Sequence, residues 1–158
     1  MTGEAGGCQC GAVRFRVDGE LGRATLCHCR MCQKAFGSFF GALVSVKVSD
    51  LTWTRGEPKR FDSSNKVKRG FCAACGTPLT FEWSAEVIEL AIATFDDPSS
   101  HQPVAQLAMG AALPWLHQLA ELPASTFGDD AAMDAHYDSI VSYQHPDHDT
   151  DVWPPAEA

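Results

Sequence analysis

Seven cysteines fall between Cys8 and Cys75 in three tight clusters, and the rest of the 158-residue chain has none. They read Cys8-Gln9-Cys10, Cys27-His28-Cys29-Arg30-Met31-Cys32 and Cys72-Ala73-Ala74-Cys75. Thiols at such short spacings suit metal ligation. Zinc takes four ligands tetrahedrally; structural sites close all four, whereas catalytic sites leave one position to solvent or substrate. Disulfides would need an oxidising compartment, and an odd number of cysteines cannot pair fully.

A Cys-X-X-Cys turn lets two sulfurs converge on one ion, and Gly76 directly after Cys75 permits the backbone such a knuckle needs. Cys72 and Cys75 make only half a site. The middle segment, Cys27, Cys29 and Cys32, can wrap one ion with three sulfurs. That leaves Cys8 and Cys10 to complete a four-thiolate site with Cys72 and Cys75. Two alternatives stay open on spacing alone. His28 as an eighth ligand would give two closed sites, although neighbours in sequence rarely aim at the same ion. An iron–sulfur cluster is the other, but the count and grouping suit zinc better.

The elements that must position these residues are mostly strands. Val13, Phe15 and Val17 alternate with Arg14 and Arg16 within 11–18. Segments 38–48, 51–54, 59–63, 77–83 and 87–94 also read as strands, the last apolar on both faces except at Glu89 and therefore central. Short strands at near-regular spacing indicate a mainly β fold. Helices are expected at 29–36, at 114–121 behind Pro114, and at 129–143, where Asp129 or Asp130 would cap and Met133, Tyr137, Ile140 and Val141 would share a face. The phenylalanines and tryptophans Phe36, Phe39, Phe40, Trp53, Phe71, Phe81 and Trp83 are expected in the core. Residues 144–158 read as a tail, disordered or laid on a neighbouring surface, with His145 and His148 solvated among Asp147, Asp149 and Asp151. The division expected is a zinc-binding domain over 1–128 and a helix with tail over 129–158.

The chain carries a formal charge of -8, and metal thiolates would deepen it. This argues against general nucleic-acid binding, which needs a basic surface. The first residues lack the basic and apolar regions of a secretion signal, and no apolar run approaches the roughly 20 residues that span a bilayer. The expectation is a cytoplasmic protein without membrane attachment, in which the last helix and the tail are the surfaces for any homodimer.

The sequence resembles the glutathione-dependent formaldehyde-activating enzyme family, which includes centromere-protein-V-like members. The likeness runs from Gly6-Gly7-Cys8-Gln9-Cys10-Gly11 through Cys27-His28-Cys29-Arg30-Met31-Cys32-Gln33-Lys34 and Arg69-Gly70-Phe71-Cys72-Ala73-Ala74-Cys75-Gly76-Thr77-Pro78, to Leu113-Pro114-Trp115 and Leu122-Pro123. It implies a β-tent of small antiparallel sheets around zinc, with a structural zinc on Cys8, Cys10, Cys72 and Cys75 and a catalytic zinc on Cys27, Cys29 and Cys32. It also implies carbon–sulfur lyase chemistry on thiol–aldehyde adducts such as S-(hydroxymethyl)glutathione, with glutathione and formaldehyde as the small-molecule partners.

A zinc with three thiolates and an open position suits a soft thiolate partner, which would attack the aldehyde carbon. His28, Ser38 and the N–H groups at the start of the 29–36 helix are candidate donors to the developing alkoxide. Glutathione's carboxylates call for cations. Lys34, Lys66, Lys68 and Arg69 are the candidates, each more simply read as a solvated side chain. Six of the twelve basic residues do fall between Arg55 and Arg69. Two readings without lyase activity compete: a zinc-stabilised binding module, and a zinc or thiol sensor that loses metal on oxidation.

Overall fold

The computed structural model describes residues 3–124 and 131–154. The architecture is mainly β, as expected, with two sheets and few helices. Strand β1 (Glu4–Gly7), β2 (Arg14–Val17) and β5 (Leu51–Arg55) form a three-stranded antiparallel sheet in the order β1-β2-β5. The larger sheet contains β3 (Ala24–Cys27), β4 (Gly41–Lys47), β6 (Lys59–Asp62), β7 (Lys68–Phe71), β8 (Pro78–Glu82), β9 (Val87–Ala91) and β10 (Ala105–Leu107). Its order is β10-β3-β4-β9-β8-β7-β6, antiparallel except for the β10–β3 pair at one edge.

Phe15 and Val17 turn inward from the smaller sheet and meet Val44, Val46, Ile88, Leu90 and Phe95 in the main core. The Phe15 ring packs edge-on against Phe95 and Trp53, with centroids 5.1 and 6.0 Å away. Such burial is the main drive for folding. As expected, β9 is central, between β4 and β8. It ends at Ala91, because Ile92–Thr94 closes into a 3₁₀ turn that the Thr94 hydroxyl ties to the Ala91 carbonyl at 2.7 Å. Four strands have no sequence signal: β1, β3, β7 and β10 span three or four residues, too few to show a period of two. Strand β1 needs its glycines, since a Cβ on Gly6 would lie 2.3 Å from the Thr94 carbonyl and 2.5 Å from the Phe15 ring.

Helix α1 (Arg30–Phe36) starts at Cys29 and stops at Gly37, which takes the left-handed conformation (φ 57°) and returns its N–H to the Gln33 and Lys34 carbonyls. The helix expected at 114–121 is a 3₁₀ stretch, Leu116–Glu121. Helix α2 spans Ala131–Asp138; its expected caps, Asp129 and Asp130, lie outside the described residues. Ile140 and Val141 follow α2 and are exposed rather than part of a packed helix face. Phe39 and Trp83 are likewise exposed, not in the core. Both sit in connections, beyond the strand and helix faces that pack inward.

The tail lies on the chain's own surface. The Trp153 indole N–H donates to the Cys10 carbonyl at 2.6 Å, and the His145 N–H to the Gln9 carbonyl at 2.7 Å. Arg55 reaches the Thr150 carbonyl. His145 is therefore buried, contrary to the expectation of a solvated histidine, whereas His148 is exposed. The contact also explains Arg14, which alternation places outward but which is only 3% exposed. Its guanidinium takes Asp96 in a two-point grip (2.7 and 2.6 Å) and Asp149 of the tail (2.8 Å).

Two outcomes follow. Asp96 is 18% exposed and Asp149 57%. Asp96→Ala, which strips a buried guanidinium of its grip, should cost about 3 kcal/mol in urea denaturation. Asp149→Ala should cost less than about 1 kcal/mol, because that pair is screened by water. Second, His145 is held below the ordinary 6.5 chiefly by burial, then by Arg14 and Arg55, with the Pro146 carbonyl and Asp96 opposing. The Nδ1–H donates to Pro146, so Nε2 faces Arg55 as an acceptor, and a proton there would set two cations together. A depressed folded value means that the tail's hold is complete above pH 6.5 and is lost as pH falls through the lowered value. Trp153 fluorescence, taken as the difference from Trp153→Phe, should report undocking below that pH, and His145→Gln should abolish the transition. A flat profile in the wild type would overturn this role for His145.

Candidate functional site

Two turns build the first cluster. Between β1 and β2, Gly11 adopts φ 78°, and the N–H of Cys8 bonds the Val13 carbonyl at 2.9 Å. Between β7 and β8, Gly76 adopts φ 82°, and its N–H closes on the Cys72 carbonyl at 2.9 Å. These positive angles need glycine. The turns face each other, joined by the Gln9 N–H to the Thr77 hydroxyl at 3.1 Å.

The sulfurs of Cys8, Cys10, Cys72 and Cys75 consequently lie within 4.8 Å of one another. Cys8 to Cys10 is 3.6 Å and Cys10 to Cys72 is 3.9 Å. A disulfide would bring sulfurs to about 2.05 Å. A zinc tetrahedron with bonds of about 2.3 Å separates them by about 3.8 Å, which these distances match. The thiol chemistry agrees. Burial, with the neighbouring thiols Cys72 and Cys10 adding to it, pushes Cys8 up to about 12. Burial also acts on Cys75, but the Thr77 hydroxyl and the N–H groups of Thr77 and Cys10 outweigh it and bring that thiol down to about 6. Alone, the cluster resists carrying four negative charges. A dication is the partner that lets every sulfur be a thiolate.

The second cluster sits where β3 hands over to α1. Cys27 ends the strand, Cys29 caps the helix by accepting the Cys32 N–H at 3.4 Å, and Cys32 lies in the first turn. Their three sulfurs also lie within 4.8 Å of one another. Among the described residues no fourth Cys, His, Asp or Glu joins them. Burial would raise Cys29, but the N–H groups of Cys32 and Met31 and the flanking thiols lower it. Burial pushes Cys32 up to about 12 against the pull of Arg69.

His28 does not group with the three sulfurs. It is fully buried; its Nε2 pairs with Gln106 Oε1 at 2.9 Å, its ring meets Phe40 edge-on, and among the described residues its Nδ1 has no partner. It ties β10 to the cysteine segment. Gln33 acts similarly, donating to the His28 carbonyl (2.9 Å) and to the Ala111 carbonyl (3.0 Å), which holds the segment after β10 against α1.

The candidate cations occupy different settings. Lys34 and Lys66 are exposed, and Lys68 is exposed and paired with Asp62 at 2.6 Å. Arg69 is not on a solvated edge: β7 is flanked by β6 and β8, and Arg69 is 3% exposed. Its Nη2 donates to Cys32 Sγ at 3.2 Å. A cavity of about 330 Å³ opens beside it, lined by Phe36, Phe61, Arg69, Phe71, Pro78 and Thr80. None of the three cysteines lines that cavity, although Arg69, which does, contacts Cys32. The burial of Arg69 follows from its register opposite Phe81, which becomes readable only once the β7–β8 pairing is known.

A comparison with curated protein sequences finds no significant match. Among solved structures, a crystal structure of a Rhodobacter sphaeroides protein, a structural genomics target, is similar at a TM-score of 0.52 and 25% identity. The similarity covers 65% of this chain and 98% of that one. The family model described as glutathione-dependent formaldehyde-activating enzyme matches residues 4–110, a span that holds all seven cysteines and Arg69. The chain therefore belongs to the glutathione-dependent formaldehyde-activating enzyme family.

Proposed function

We propose that the protein is a zinc-dependent carbon–sulfur lyase acting on thiol–aldehyde adducts, with S-(hydroxymethyl)glutathione as the reference substrate. The observation that carries this reading is a three-thiol cluster without a fourth protein ligand, beside a closed four-thiol cluster, in a chain of this family. Cys8, Cys10, Cys72 and Cys75 would hold a structural zinc, and Cys27, Cys29 and Cys32 a second. A zinc held by three thiolates supplies a soft Lewis acid that favours a sulfur partner.

The reaction needs no oxidant or reductant. In the cleavage direction the adduct's hydroxyl gives up its proton as its C–O bond becomes a carbonyl. The carbon–sulfur bond breaks, its electron pair stays on sulfur, and that sulfur takes up a proton. Synthesis is the reverse. The chain's own residues bind and orient. The donors within the Cys29–Cys32 turn fix the sulfurs, and Gln33 and His28 hold the two segments that flank the turn. The cavity next to Arg69 has room for part of a thiol substrate, and the exposed Lys34 and Lys66, with Lys68 by exchange from Asp62, would serve its carboxylates.

Exchange between glutathione and formaldehyde, followed by NMR, should run faster with the wild type than without protein and fall to the uncatalysed rate with Cys32→Ala. Equal rates for all three across several thiols would reject the lyase and leave the binding or sensing readings. Metal analysis should find about two zinc ions per chain, and about one in a folded Cys32→Ala. Cys75→Ala should unfold, because a structural zinc contributes folding energy outright. Equal damage from both substitutions would sink the division between the clusters.

A further inference from the structure

Arg69 is a cation in a dry place. A guanidinium is costly to bury unless an anion compensates it. Its Nε donates to the Ser63 hydroxyl at 3.0 Å, and its central carbon lies over the Phe81 ring, 4.8 Å from the centroid. The Phe36 ring centroid is 6.0 Å from the same carbon, and among the described residues Nη1 has no partner. Among the described residues no carboxylate pairs with it. Among the described residues, its contact able to become an anion is the sulfur of Cys32, a thiolate once it ligates a metal.

The two clusters are neutralised differently. Around the four-thiol cluster the donors are backbone N–H groups and a hydroxyl, such as Val13 N–H to Cys8 Sγ at 3.3 Å and the Thr77 hydroxyl at 3.1 Å from Cys75 Sγ. Around the three-thiol cluster a full positive charge is built in. A dication on three thiolates leaves one negative charge, and the guanidinium cancels it.

We propose that Arg69 is a positioning residue for the metal of the three-thiol site, orienting Cys32 Sγ through a directed N–H···S contact and supplying the buried counter-charge that retains the ion. The inference rests on the reading of that cluster as a zinc site. Arginine is required over lysine because its planar fork serves Ser63 and Cys32 at once while its central carbon sits over the Phe81 ring.

The test is zinc affinity by competition with a chromophoric chelator on the full chain, together with the thiolate-to-metal charge-transfer band of the cobalt-loaded protein. Arg69→Met should weaken one of the two zinc ions by about 10- to 100-fold, leave the other unchanged, and shift the cobalt band. Arg69→Lys should recover part of the loss. Lys59→Met, an exposed cation on β6, should change nothing. In a Cys32→Ala background Arg69→Met should add no further loss. Should Arg69→Met not fold, Ser63→Ala keeps the cation and removes one anchor; it should weaken the same ion by about threefold to tenfold. Unchanged affinity and an unchanged band in Arg69→Met, or unchanged affinity in Ser63→Ala, would overturn the inference while the zinc reading stands. A wild type that binds a single zinc would overturn both.

Discussion

Four sulfurs brought within 4.8 Å of one another set the constraint on which this structure depends. At 3.6 to 3.9 Å, in surroundings that drive the Cys8 thiol up to about 12, four thiolates repel strongly and four thiols have few good donors to one another. A dication bound there would resolve this and convert repulsion into a clasp. The clasp matters because of what it joins. Cys8 and Cys10 follow the first strand of one sheet, and Cys72 and Cys75 form a hairpin turn of the other. Val13, Leu79 and Trp53 pack round the sulfurs, so the clasp is part of a small hydrophobic core and not an appendage to it.

The two clusters meet along one strand. Strand β7 carries Arg69 and runs directly into Cys72. Its pairing with β8, with a register shift between Gly70 and Phe71, places Arg69 opposite Phe81, and the Arg69 guanidinium lies against Cys32. Gly70 lets the strands approach, since a Cβ there would fall 2.4 Å from the Thr80 hydroxyl. The two sites differ in chemistry but share one strand.

How much of this was legible in the sequence follows from the range of each interaction. The cysteine grouping was readable because ligand spacing is local, and the structure gathers the sulfurs in the four and three that spacing favours. The strands with alternating or continuous apolar residues were readable too. Strands such as β10, with three residues, were not, because they are held by neighbours far along the chain. Arg69 looks like one more cation in a basic stretch, and only the pairing of β6, β7 and β8 turns it inward. Arg14 is the same case: alternation points it outward, and Asp96 and the tail cover it.

The tail lies beyond the segment that matches the family, which ends at residue 110. Its contacts gather on one side of the molecule: Cys10 through Trp153, Gln9 through His145, Arg55 through Thr150, and Arg14 through Asp149. All lie around the four-thiol clasp. Among the described contacts none reaches Cys27, Cys29 or Cys32. On the proposed reading, a segment that sealed the three-thiol cluster would block a substrate, whereas one that covers the four-thiol cluster blocks nothing. The tail thus follows the division already written in the cysteines: it covers the closed cluster and leaves the open one alone.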